Sequence, residues 1–375
     1  MAGQADLSLY ATIGIGLETV VSREMASIGI TATRVEPGRV RFQGTFADLY
    51  RAIVLLRTVS RVVRELQFEQ IEQEQDIYDA VREMDWPHLF PLEATFRVTF
   101  NVHSSLVRNS RFWTYRIKDA ICDCFMAQCG QRPNVDTATP QVHVYCYLEN
   151  RRLSVGLDAA GDPLHMRGWR VTHHQASLRE HLAAAMVLQS GWEPSMPLHD
   201  PFCGSATIPI EAALIATRTP PSAFRKRFAV ESWPEFDAEF LARIRNEAMA
   251  ARVEVPGLRI TGADIDKTAL AQAASNLEST GLSNLITLAE RDAASMAPVE
   301  RGVVIANPPY GERLDNAAGV WAGFRQAALR CKGSTIVVLQ ANPEFEKVFS
   351  LRPFKKNRMN NGAIECTLYQ YRIRG

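Results

Sequence analysis

The chain of 375 residues has no apolar run long enough to cross a bilayer, which excludes a helical membrane protein. It has no surplus of either charge. Lys and Arg number 42 and Asp and Glu 41, so a net charge of +1 gives no global field to attract a polyanion. A nucleic-acid partner would have to be held by local patches. There is no disulfide framework, because the seven cysteines are odd in number and scattered. The start, MAGQADLSLYATIG, lacks a basic segment followed by an apolar one. No signal peptide is expected, and the cytoplasm is the expected location. Two phosphate-binding signatures, G-x-x-x-x-G-K-[ST] and G-x-G-x-x-G, are also missing.

The length implies two or three domains. A composition 46% hydrophobic and 22% charged marks a globular chain rather than a disordered one. Seven early arginines, Arg34, Arg39, Arg41, Arg51, Arg57, Arg61 and Arg64, form a candidate basic patch. On charge alone, ordinary solvated helix and strand faces account for them better. Cys122, Cys124 and Cys129 fall in IKDAICDCFMAQCG, which reads as an amphipathic helix. Zinc needs four converging ligands, and His143 and Cys146 lie on a separate strand candidate, so ordinary buried thiols are expected and no metal.

The first 155 residues or so alternate short strands and helices, as small α+β units do. YATIGIG, GRVRFQG, RVVRELQF and TFRVTFNVHS read as strands, and QVHVYCYLE with RLSVGLDA as a hairpin across Asn150. GDPLHMRGWRVT is polar and turn-rich and marks a boundary. Beyond it the texture changes. LHDPF, LRITGADI, LITLAERD, GVVIANPP and STIVVLQ are short apolar strands separated by helical segments, the pattern of a doubly wound parallel sheet. AIECTLYQYRI adds a last strand with no helix after it.

In such a sheet ligands bind where the strands end. The first strand ends at Asp200, and a turn of small residues follows before a helix begins near Thr207. Gly204 permits close backbone approach, while Cys203, Ser205 and Ala206 keep the turn open. The acid discourages a phosphate and suits a cation. The second strand ends at Asp264, a carboxylate that can accept both ribose hydroxyls of a nucleoside. Asp266 is expected to be only a helix cap. Asp292 ends the third strand and can accept from an adenine amino group. Together these describe a site for a nucleoside with a cationic, phosphate-free tail, as in S-adenosylmethionine.

The fourth strand ends in VIANPPYGERLD. Pro308 and Pro309 fix φ and donate no N–H, which holds the chain extended with its carbonyls free. Asn307 sets a side-chain oxygen beside the Pro308 carbonyl. Two fixed acceptors suit an –NH2 group. Its lone pair is delocalised into a base ring, and acceptors out of that plane make the nitrogen pyramidal and nucleophilic. Catalysis is then positioning and electrostatics. Tyr310 would stack on the base, unpaired or flipped out.

DPFCGSATIPIEAALIA, GADID and ANPPYGERL together resemble the class I S-adenosylmethionine-dependent amino-methyltransferases. LHMRGWR, LREHLAAAM and KKNRMNNGAIECTLYQY narrow the resemblance to the bacterial THUMP-domain guanine-N2 RNA methyltransferases, the group of the 23S rRNA enzyme. The resemblance implies an α/β chain in three parts. Residues 1–65 would be a ferredoxin-like unit and 66–160 a THUMP RNA-binding domain. Residues 161–375 would be a Rossmann-like class I methyltransferase domain on a mostly parallel seven-stranded sheet. It implies S-adenosylmethionine as cofactor, held by Asp200, Pro201, Cys203, Gly204, Ser205, Ala206, Thr207, Asp264, Ile265, Asp292 and Asn307. Asn307, Pro308, Pro309 and Tyr310 would hold the target base. Arg167, Arg170 and Arg179 would flank the entrance, toward RNA phosphate or the cofactor carboxylate. Arg358, Asn361 and Gly362 match a tail motif to which the sequence assigns no role.

The family usually has glycine where this chain has Ala206, so the loop is either unstrained there or slightly reshaped. Asn-Pro-Pro-Tyr also serves adenine N6, cytosine N4 and glutamine amide transfer, so the motif alone leaves the acceptor open. The leading expectation is N2 methylation of a guanosine in RNA, 23S rRNA first and tRNA as the alternative. A non-catalytic RNA-binding assembly factor is the alternative of another class. The catalytic half, from about residue 161, is expected to bind cofactor on its own and to depend on the front half for RNA.

Overall fold

The computed structural model describes residues 6–171, 178–309, 317–362 and 364–375. The front part contains β1 (Leu7–Thr12), α1 (Glu18–Ser27), β2 (Ala32–Glu36), β3 (Arg39–Gly44), α2 (Phe46–Leu55), β4 (Arg61–Gln70), α3 (Glu74–Glu83), α4 (Trp86–Leu89), β5 (Phe96–His103), α5 (Ser110–Cys129), β6 (Val142–Glu149) and β7 (Arg152–Asp158). The rest contains α6 (Glu180–Gln189), β8 (Leu198–Asp200), α7 (Thr207–Ala216), α8 (Ala238–Ala250), β9 (Ile260–Asp264), α9 (Lys267–Thr280), β10 (Ile286–Glu290), β11 (Val303–Ala306), α10 (Ala317–Ala328), β12 (Thr335–Gln340), α11 (Glu344–Phe349), β13 (Lys355–Asn361) and β14 (Ile364–Arg372).

The front strands form one sheet in the order β2-β3-β1-β4-β7-β6-β5. β4 is its seam. It pairs antiparallel with β1 on one side and β7 on the other, and the expected boundary at residues 65/66 falls inside it. β2 had no sequence signal, because its central residues, Thr33, Arg34 and Val35, are all exposed and show no apolar alternation. Its place is set by pairing with β3.

The second sheet runs β10-β9-β8-β11-β12-β14-β13. Its first five strands are parallel, and β14 and β13 close it antiparallel. The strand order reverses between β8 and β11, the point at which doubly wound sheets open a ligand crevice. β8 is three residues long and buried at both ends, and α7 is apolar almost all round, as a helix enclosed by protein must be.

One continuous apolar cluster runs from Leu7 in β1 to Leu368 in β14, so the two halves share a core. Polar bonds cross the same junction. Arg57 donates to the carbonyls of Leu214 and Thr219, and Arg167 donates to the Arg57 carbonyl at 2.6 Å. The Ser222 hydroxyl donates to Val54, and Asp237 N–H to the Tyr50 hydroxyl. Gly16, at φ +90°, meets β13 so closely that a Cβ there would stand 1.8 Å from the Arg358 carbonyl. The tail motif thus gains one role: its backbone is the surface on which the turn before α1 sits.

Candidate active site

Asp200, Asp264, Asp292 and Asn307 lie at or just past the ends of β8, β9, β10 and β11, on one edge of the second sheet. The register aligns Asp200 with Gly262 and Asp264 with Glu290, so the acids follow one another across neighbouring strands.

The loop from Pro201 to Thr207 is tied down from several sides. Cys203 N–H donates to Ala263 at 2.9 Å, and Gly204 N–H donates to Asp264 Oδ2 at 2.8 Å. Asp264 Oδ1 accepts from Asp266 N–H at 3.0 Å. Its carboxylate therefore fixes the loop while keeping lone pairs for a further donor. Asp266 caps α9 by accepting from Thr268 N–H. Ile265 between them is 70% exposed, an apolar side chain at the strand end with no core to join.

Asp200 is buried, and among the described residues the one hydrogen bond to its carboxyl group is from Phe202 N–H at 3.0 Å. Burial pushes its carboxyl well above the usual range, Asp264 pushes it further, and the Phe202 N–H only partly opposes them. A cation at this strand end would relieve that cost. Cys203 is buried and its thiol is pushed up by burial, which leaves it a small apolar wall. Ala206 is at φ +65°, in the left-handed region, so the loop carries strain where glycine would carry none.

Two further residues shape this loop: Asn276, unread in the sequence, and Arg170, expected at the entrance. Asn276, wholly buried in α9, donates to the Ser205 carbonyl at 3.1 Å and accepts from Val171 N–H. Its only signal was an amide inside a helical run. Arg170 donates to the hydroxyls of Ser205 and Thr207 at 2.9 and 3.0 Å and pairs with Glu180 at 2.9 Å. It braces the loop, with its charge already paired. Arg167 also departs from expectation: it is 1% exposed and paired with the buried Glu211 at 3.1 Å. Arg179 is the exposed member of the three.

Asp292 accepts from Ala294 N–H at 2.8 Å and is otherwise exposed toward the same edge. Asn307 follows β11, with Pro308 and Pro309 after it, and its Oδ1 is buried without a hydrogen-bond partner among the described residues. Buried acceptors are nearly always satisfied, so this one points to a missing donor. Tyr310 lies outside the described residues.

The early arginines form no free patch. Arg34, Arg39, Arg41, Arg51, Arg61 and Arg64 pair with Glu36, Glu149, Glu65, Asp48, Asp158 and Glu235 in turn, and Arg57 is held by carbonyls. In the front half, Arg108 and Arg111 have no ion pair among the described residues and flank the start of α5, beside Phe112 and Tyr115, each more than half exposed. No cluster of three metal-ligating side chains occurs among the described residues. Cys122 and Cys124 are buried, while Cys129 is exposed at the end of α5.

A family model described as RMKL-like, methyltransferase domain, matches residues 167–370. A THUMP domain matches 72–158 and an RlmL ferredoxin-like domain 8–63. Among solved structures, SMU.472, crystallised in complex with SAH, is 29% identical over 99% of both chains, with a TM-score of 0.87. A protein from Listeria monocytogenes, described as a predicted N6-adenine-specific DNA methylase, is 29% identical over 98% of this chain and 96% of its own, at 0.86. TrmN from Thermus thermophilus is 19% identical over 98% and 99%, at 0.72, a likeness of fold.

Proposed function

The chain belongs to the RMKL-like methyltransferase family, and on that premise we propose that it methylates the exocyclic N2 amino group of a guanosine in RNA, with 23S rRNA as the substrate. It is a THUMP methyltransferase that uses S-adenosylmethionine. The observation that carries the acceptor chemistry is Asn307 Oδ1 at the end of β11, buried with no partner among the described residues.

The residues at the strand ends fit the cofactor. Asp200 supplies a buried carboxyl group with no ion pair among the described residues, Asp264 a carboxylate with lone pairs to spare, and Ile265 an exposed apolar face for a purine. When bound, S-adenosylmethionine supplies a methyl group on a sulfonium, which leaves as a neutral thioether. The chain's own work is to hold the amino group. Asn307 Oδ1 accepts one of its hydrogens and the Pro308 carbonyl the other, which localises the lone pair on nitrogen for in-line attack. The new N–C bond leaves one proton too many on nitrogen, and it passes to solvent. Asn307 fixes position and stays neutral throughout.

RNA as the substrate is supported by the THUMP segment and by the basic and aromatic start of α5, where arginines can meet phosphates and rings can stack on bases. The test is nucleoside mass spectrometry of 23S rRNA and of tRNA, with and without the gene. Loss of one N2-methylguanosine from 23S rRNA is expected. Its loss from tRNA would move the assignment to tRNA, and loss of N6-methyladenosine would overturn the guanine reading.

A further inference from the structure

A cavity of about 540 Å³ lies between residues 162–170, the start of α6 and the loop after α7. Six of its lining residues are cationic (Arg167, Arg170, Arg179, Arg225, Lys226 and Arg227), against the carboxylates of Asp162 and Glu180. These cations differ in what they do. Arg167 is neutralised by Glu211 and Arg170 by Glu180. Arg225 is a clamp, donating to the carbonyls of Ala160, Asp162, Pro163 and Met166 at 2.9–3.1 Å. Gly168, at φ +95°, brings its segment so near that a Cβ would stand 2.4 Å from the Phe224 carbonyl. The walls are therefore fixed.

Arg179, Lys226 and Arg227 remain, all exposed and without an ion pair among the described residues. Arg227 gives one N–H to the Ser232 hydroxyl. The cavity's field is positive enough to be felt by its histidine. Burial first, then Arg179 and Arg167, push His165 down to about 3. Cations held around one opening repel one another unless an anion comes between them. The cavity also shares a wall with the cofactor loop, because Arg170 bonds Ser205 and Thr207.

We propose that this cavity seats a phosphodiester of the nucleic-acid strand whose base is methylated, with Arg179 on one wall and Lys226 and Arg227 on the other. The proposal rests on the reading of the protein as a nucleic-acid methyltransferase. It places a backbone anchor on one side of the cofactor loop and the target base on the other. Such contacts set register and carry no sequence information.

The test uses the full chain and two variants, Arg179→Ala and the double variant Lys226→Ala/Arg227→Ala. The probes are unmodified 23S rRNA transcribed in vitro and a single-stranded DNA of matching sequence, each titrated across salt. Each lost phosphate contact should flatten the salt slope by about one unit and weaken binding at low salt on the order of tenfold. Affinity for S-adenosylhomocysteine should not change. Unchanged slopes in both variants would overturn the proposal. So would weakened S-adenosylhomocysteine binding with intact nucleic-acid binding, which would give the cavity to the cofactor carboxylate. If the slopes flatten while the product is not N2-methylguanosine, the guanine reading fails and the seat stands. Flattening on the DNA probe alone replaces RNA by DNA as the strand.

Discussion

Asp264 accepts the backbone N–H of Gly204 at 2.8 Å, so the acid assigned to the cofactor also holds the loop that surrounds it. Asp264→Ala should then act twice. S-adenosylmethionine affinity should fall by about 1.5–3 kcal/mol, the range for hydrogen bonds to a charged group. The melting temperature of the free protein should fall as well, since Gly204 and Asp266 lose their acceptor. Calorimetry and thermal melts together check this. Unchanged affinity would move the ribose contact elsewhere.

Asn307→Ala should separate stability from activity. Its Oδ1 is buried with no partner among the described residues, so removing it should leave the melting temperature unchanged or slightly raised. Methyl transfer should fall by about 10²–10³ because one preorganised acceptor is gone. Cofactor binding should stay nearly intact. Near-normal turnover would sink the assignment.

Ala206→Gly should be close to neutral, for reasons that cancel. Relief of the left-handed conformation is worth roughly 1–2 kcal/mol. Against it stand the lost burial of a methyl group, about 0.8 kcal/mol, and the extra freedom of glycine in the unfolded chain, about 0.5–1 kcal/mol. Denaturant midpoints should therefore differ little. Ala206→Val, branched at a positive φ in a wholly buried site, should be strongly destabilised.

Asp200 makes cofactor binding depend on pH. Its folded-state carboxyl is raised, so the stability linked to its neutral form is full below the unfolded carboxyl range and is lost as pH rises through the folded value. A cation beside it favours the ionised form. Cofactor binding should thus release protons, visible as a dependence of calorimetric heat on the buffer's ionisation enthalpy. Asp200→Asn should abolish that dependence, weaken binding, and gain stability relative to wild type as pH rises.

Arg167→Ala should be among the most damaging single changes. It leaves Glu211 buried and unpaired, which costs about 3–5 kcal/mol. A fragment starting at residue 161 should fare no better, because it loses the partners that Arg57, Val54 and Tyr50 supply across the shared core. This revises the expectation that the catalytic half would bind cofactor alone. Circular dichroism of both proteins checks it, and a cooperative melt of the fragment would refute it.

What was legible in the sequence was whatever local chemistry dictates. Three of the parallel strands stop at an acid or amide, β8 at Asp200, β9 at Asp264 and β11 just before Asn307, so these strand ends could be placed without a structure. Asp266 could be read as a cap because a cap is a local bond. β2 and β13 were not legible, since ATRVE and KKNRMNN have no apolar rhythm and exist because β3 and β14 lie beside them. Arginines misled for the same reason. Arg167 and Arg179 look alike in sequence, and only the fold decides that one meets Glu211 and the other meets water.

Arg57 and Arg167 tie the end of α2 to the end of α7, and one apolar cluster joins the front sheet to the second. On the proposed reading the protein then works as a caliper. A strand anchored at the front presents its guanosine at one fixed reach, and selection follows from length as much as from contact. Inserting a single base pair between anchor and target should defeat methylation even with the target sequence intact, because Asn307 cannot travel to meet it.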